Sequence, residues 1–214
     1  MKNGSKETKI ITVDSAVKES GRDRIGNIAI IGILSAISYI LMWLEVPAQL
    51  MPPFIKFDFS DFPALLAAFG LGPIAGILVE LIKNVLHSFS SGSFAVGELS
   101  NFILGASFVG VAGLVYQKKK NKKGAVLASL LGAMTMALIS YPSNLFVVYP
   151  FYYNFMPKET VLSMYQLILP SVGSMEKALL IFNLPFTFIK GMLDVLLCLF
   201  LYKSVSPLLH KFKR

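Results

Sequence analysis

Charge is scarce in this chain. Only 15% of its 214 residues are Asp, Glu, Lys or Arg, against about 25% in an ordinary soluble domain. With 55% hydrophobic residues and a mean hydropathy of +0.66, a soluble globular fold is excluded in favour of a single polytopic membrane domain. Cysteine is almost absent: Cys198 stands alone in an apolar run, which rules out a disulfide framework or a cysteine metal site. The two histidines, His87 and His210, lie far apart. No H-E-x-x-H pair exists, so no metal and no resident cofactor are expected. A G-x-x-x-x-G-K-[ST] loop is also missing, which closes that route to direct ATP use. Acidic residues number 12 against 20 basic ones, a net charge of +8. In a soluble protein this excess would suggest nucleic acid. Here the lysines gather at the ends of apolar runs, so they set topology and meet anionic lipid headgroups of the bilayer, and no nucleic-acid partner is expected.

What is present is apolar and segmented. Residues 1–24 are polar and read as a disordered cytoplasmic tail. Six membrane segments come after it: about Ile25–Leu44, a short Asp61–Leu71, Pro73–Phe89, Glu98–Tyr116, Gly124–Tyr149 and Met175–Tyr202. Proline stands at the first position of the third, where its missing N–H costs nothing. The membrane domain is thus 25–203, and 204–214 is a basic cytoplasmic tail. Five lysines in Gln117–Lys123 and the basic C-terminus fall on the same side only if the segments number six, and the positive-inside rule makes that side cytoplasmic. The expected fold is therefore an all-α membrane protein of six transmembrane helices with both termini in the cytoplasm.

This topology gathers polar groups from several segments into the outer half of the membrane. Glu80, Lys83, Asn84 and His87 recur at spacings of three and four and share one helical face. Ionisable side chains in such a segment survive where they face a bundle interior or a water-filled cavity. They could equally form a self-satisfied seam between helices. Glu98 and Asn101 open the fourth segment, and Trp43 and Leu44 close the first at the outer interface. In the sixth, Asn183, Thr187 and Lys190 line one face around Pro185, with Lys190 roughly 20 Å below the outer end. Asp194, one turn further on, could instead hold Lys190 in a structural pair. Asn144 and Tyr149 belong to the aromatic run Ser140–Tyr153, part of which is an interfacial belt. Ser60 or Asp61 is expected to cap the second helix, although Asp58 and Asp61 could also touch a ligand. Gly32 and Ala36 form a small-xxx-small pair that allows close helix approach, either inside the bundle or towards a partner.

The blocks PPFIKFDFSDFPALLAAFGLGPIAGILVELIKNVLH, GELSNF at Gly97–Phe102 and PFTFIKG at Pro185–Gly191 resemble the riboflavin-specific substrate-binding (S) components of energy-coupling factor (ECF) transporters, the RibU family. The resemblance covers roughly residues 25–203. It implies an S-component bundle in the plasma membrane of a prokaryote, without enzymatic activity. Such a bundle binds riboflavin, or its phosphate FMN, from outside and docks on a transmembrane scaffold protein with two ATPase subunits. Asn144 and Lys190 match the family's binding residues, while Thr187 stands where relatives often carry asparagine. The resemblance places docking at Gly32 and Ala36. The candidate ligand-binding set is Asn144, Lys190, Thr187 and Asn183, extended by Tyr149, Asn84, Glu98 and Leu44. The 45–58 loop, with Pro47, Pro52, Phe54 and Phe57, is the expected outer lid. Loss of Lys190 is expected to weaken binding and spare the fold. A subunit for another heterocyclic vitamin, an intramembrane enzyme and a self-sufficient ion-coupled carrier are the alternatives.

Overall fold

The computed structural model describes the backbone of residues 13–48, 50–90 and 95–211, and side chains from 24 onward as far as 197 together with Phe200. Helix α1 is Val13–Trp43, α2 is Asp61–Gly70, α3 is Pro73–Ser88 and α4 is Val96–Lys118. Helix α5 runs over Lys122–Tyr152 and contains a π-helical turn at Asn144–Val148. A short α6 spans Lys158–Gln166. Helix α7 begins with Met175–Ala178, passes through a second π turn at Leu179–Asn183 and continues as Leu184–Lys211. Between α1 and α2 a small antiparallel ribbon pairs β1, Val46–Pro47, with β2, Lys56–Phe57.

Among the described residues, four helices are long and apolar enough to cross a membrane: Arg24–Trp43, Val96–Lys118, Lys122–Tyr152 and Met175–Leu197. With 10 and 16 residues, α2 and α3 fall short of the ~20 that a span requires. They follow each other as a helical hairpin. Gly72 makes the break with φ of 110°, a backbone conformation that side chains with a Cβ rarely adopt, and Pro73 starts α3 directly after it. Helical backbone also reaches beyond the expected segment ends. It covers 13–24 at the start, where the sequence suggests a disordered tail, and continues to Lys211 at the end. Residues 1–12 and 212–214 of the expected tails lie outside the described residues.

The bundle is apolar outside and polar in places within, as a lipid-facing fold must be. On α1, Ile33 and Ile40 are both 61% exposed, while Ser35 and Ser38 are buried. Small residues bring the inner helices together: a Cβ on Gly132 of α5 would stand 2.7 Å from the Phe108 carbonyl oxygen of α4. One apolar core, including Leu65, Val79, Phe108, Ala112 and Met136, joins α2 to α5 and reaches Val195 of α7. A second, including Val148, Val161, Tyr165, Met175 and Leu179, packs α6 against the π turns. Met136 of the first core and Val148 of the second line one shared cavity.

Candidate functional site

That cavity, of about 440 Å³, opens where the ribbon loop, α4, α5 and α7 meet, within the ~300–1,000 Å³ range of small-molecule sites. Its wall includes Asn144, Tyr149, Asn183, Thr187, Lys190, Glu98 and Phe54. These come from four separate parts of the chain; Phe54 was expected in the lid loop and the other six at a ligand. The other candidates lie elsewhere. Asn84 is buried behind the wall and donates to the Glu80 carbonyl at 2.8 Å. Leu44 is 62% exposed. Phe57 stacks on Phe186 at 4.4 Å between ring centroids, and Phe186 in turn lines the cavity. Pro47 sits in β1, paired with Lys56, and Pro52 takes part in the loop turn through its carbonyl, which accepts from Ile55 N at 2.9 Å. Gly32 and Ala36 face outward on α1, with nothing within 4 Å of a Cβ built on Gly32.

Beneath the cavity is a buried charge cluster. Lys190 Nζ donates to Asp58 Oδ2 at 3.0 Å and to Asn101 Oδ1 at 2.9 Å, and it lies 3.3 Å from Asp61 Oδ2. Lys83 pairs with Asp61, donates to Ser60 Oγ at 2.7 Å and lies 2.9 Å from Glu80 Oε2. Ser60 donates its backbone N–H to Asp58 at 2.9 Å and its hydroxyl to the same oxygen. Ser38 Oγ then donates to the Ser60 carbonyl at 2.6 Å, which ties α1 to the entrance of α2. Burial opposes the charge of Asp58, but Lys190, Lys83 and the Ser60 hydroxyl outweigh it and hold this loop carboxyl below the usual carboxylate range.

This geometry corrects two readings made from the sequence. The capping role expected of Ser60 or Asp61 is not found: the Ser60 side chain makes no cap hydrogen bond, and both residues serve the lysines instead. The ion pairs of Lys190 among the described residues are to Asp58 and Asp61, not to Asp194. Asp194 is itself fully buried, and neither of its carboxylate oxygens has a hydrogen-bond partner among the described residues. The α3 seam is satisfied in part by its own members, through the Lys83–Glu80 pair. His87 reaches across to Glu98 of α4, with Nδ1 2.7 Å from Oε1. Its ring packs on Trp43, 5.4 Å between centroids.

Residues 26–202 match the family described as the ECF transporter substrate-specific component. The chain belongs to that family. Two curated relatives agree over nearly the whole chain. The riboflavin transporter RibU of Staphylococcus aureus (strain TCH60) is 32% identical over 189 residues, covering 85% of this chain and 90% of the relative. The riboflavin transporter FmnP of Bacillus subtilis (strain 168) is 31% identical over 187 residues, covering 86% and 94%. A solved structure of the S component of a bacterial ECF transporter superposes with a TM-score of 0.69 at 31% identity, covering 87% of this chain and 98% of that one. As an ECF substrate-specific component the chain is part of a transporter, not an enzyme. Its helices are consistent with a bacterial membrane protein.

Some wall residues of this S component escape a sequence reading. Met42, Leu104 and Met136 line the cavity, yet they sit in apolar runs where one residue looks like the next. Asn101, the neutral partner of Lys190, has a visible signal: it stands one helical turn after Glu98 at the start of α4. Tyr165 belongs to a connection of mixed polarity, and nothing in its neighbourhood marks it as buried.

Proposed function

We propose that this chain is the high-affinity riboflavin-binding subunit of an ATP-driven ECF uptake transporter in a prokaryotic plasma membrane. It spans the membrane with six helical segments, α2 and α3 acting as a paired hairpin, and keeps both termini in the cytoplasm. The vitamin enters from outside beneath the ribbon loop and is delivered after the subunit docks on a scaffold membrane protein with two ATPases. The observation that carries this reading is the chemistry of the cavity wall, taken with relatives that are riboflavin transporters. Riboflavin is flat and neutral, with a uracil-like edge and a polyhydroxyl chain. Asn144, Asn183 and Thr187 supply amide and hydroxyl groups for edge and chain. Phe54, Tyr149 and Met136 supply apolar faces for the ring.

Lys190 already donates to two acceptors, Asp58 and Asn101, and has Asp61 Oδ2 beside it as an ion-pair partner. A flavin carbonyl reaches the ammonium by replacing Asn101, its one neutral partner, so Asp58 and Asp61 remain compensated. Such a charge-assisted bond contributes about 1.5–3 kcal/mol.

Docking is tested separately from binding. Because an added Cβ at Gly32 meets nothing within 4 Å, Gly32→Leu leaves the fold and riboflavin affinity unchanged. Co-expressed with an energising module in a riboflavin auxotroph, this variant loses uptake of labelled riboflavin. Uptake at the wild-type rate would remove the Gly32 face from docking.

A further inference from the structure

The cavity wall is backed by a closed ring of three polar side chains. Tyr165 Oη donates to Asn183 Oδ1 at 2.6 Å, Asn183 Nδ2 donates to Tyr149 Oη at 3.3 Å, and the two tyrosine hydroxyls are in direct contact. Tyr149 is 5% exposed, Asn183 6% and Tyr165 0%. The order of protons in this ring is determined. Tyr165 spends its only hydrogen on Asn183, so the contact between hydroxyls requires Tyr149 to donate to Tyr165. Tyr149 therefore accepts from Asn183, and each hydroxyl donates once and accepts once. The two distances fix the orientation of the amide as well. A 2.6 Å contact suits O–H···O and is too short for N–H···O, whereas 3.3 Å is long for two oxygens and acceptable for an amide donor.

The backbone puts these groups there. Asn183 ends the π turn of α7, and Tyr149 comes directly after the π turn of α5. A π turn inserts an extra residue and rotates the next stretch of helix about its axis, and such turns are frequent at functional sites. Tyr165 comes from α6, outside the long helices. It is clamped between Phe182 at 5.4 Å and the loop residue Phe54 at 6.5 Å between ring centroids. Asn183 and Tyr149 line the cavity, whereas Tyr165 stands behind them.

We infer that Tyr165 is a positioning residue for ligand specificity: by holding the Asn183 carbonyl, it fixes the amide so that its remaining N–H is the group offered to the ligand. With the one hydrogen of each tyrosine committed inside the ring, the free donor in this part of the wall is the Asn183 N–H. It selects a ligand acceptor, a carbonyl oxygen or a bare ring nitrogen, and disfavours a ligand N–H at that point. Without Tyr165 the amide turns freely and offers either edge.

The inference rests on the riboflavin reading, and its test separates the two. Riboflavin dissociation constants are measured for the purified full chain, for Tyr165→Phe, for Asn183→Ala and for the double variant, with ligand-free melting curves as the control of fold. Each single change weakens binding on the order of tenfold. Because Tyr165 acts through Asn183, the double variant binds no worse than Asn183→Ala alone. If Tyr165→Phe gives no cooperative melt, Tyr149→Phe breaks the same ring from its other side and shows the same non-additivity with Asn183→Ala. Additive losses, or wild-type affinity in Tyr165→Phe, would overturn the inference while leaving the riboflavin reading intact. Failure of the wild-type protein to bind riboflavin would overturn that reading, and the inference with it.

Discussion

Replacing Lys190 by methionine separates a ligand contact from a structural charge. Methionine keeps most of the apolar stem, so the change removes the ammonium more than the packing. In the native cluster this ammonium is 3.0 Å from Asp58 and 3.3 Å from Asp61, and it donates to Asn101 at 2.9 Å. Its loss leaves two buried carboxylates with Lys83 as the remaining nearby cation among the described residues. Removing one member of a buried ion pair costs about 3–5 kcal/mol, which for a domain of this size corresponds to a fall in Tm of roughly 6–20 °C. Adding Asp58→Asn removes one of the stranded charges, so the double variant recovers part of the loss. Melting of the detergent-solubilised, ligand-free protein monitored by circular dichroism is the assay. Two results would refute the reasoning: a Lys190→Met protein as stable as wild type, or a double variant destabilised by the sum of its parts. In the proteins that remain folded, riboflavin affinity falls about 10- to 150-fold, the loss of one hydrogen bond to a charged donor.

Two further outcomes are expected of the same cluster and its supports. Gly132→Val forces a side chain against the Phe108 carbonyl and destabilises the bundle by about 1–3 kcal/mol, read as a lower Tm; an unchanged Tm would mean that α4 and α5 can part at no cost. The folded-state pKa of Asp58 is depressed, so its contribution to stability is whole above the unfolded value of about 3.9 and is lost as pH falls towards the folded one. Asp58→Asn therefore lowers stability at neutral pH and flattens its decline in acid, and parallel acid-melt curves for the two proteins would contradict this.

The apolar runs announce their helices plainly, because a segment that must satisfy its backbone internally has few other choices. The Gly72-Pro73 break and the polar face of α3 are legible for the same reason. The structure adds the destinations of the charges. Spacing on one helix makes Asp194 the natural partner of Lys190, since only neighbours along the chain are visible in sequence. The actual partners, Asp58 and Asp61, come from 132 residues away in the first case and from the entrance of a different helix in the second. This long-range pairing is the reason that loss of Lys190, expected from the sequence to weaken binding and spare the fold, is predicted above to cost stability as well. The π turns at Asn144–Val148 and Leu179–Asn183 each end two residues before a proline, Pro150 and Pro185; a proline marks a disturbed helix but does not say that the register changes. Tyr165 was hidden for a different reason: its burial comes wholly from tertiary packing of α6.

The central claim is that this cavity holds riboflavin, and the most direct test is titration of the purified protein with the vitamin. Trp43 is the chain's one tryptophan and lines the cavity, so its fluorescence reports occupancy there. The expected result is saturable quenching that ends at one riboflavin per chain and weakens in Asn144→Ala. No saturable change up to micromolar riboflavin, with the protein folded and free of bound flavin, would contradict it.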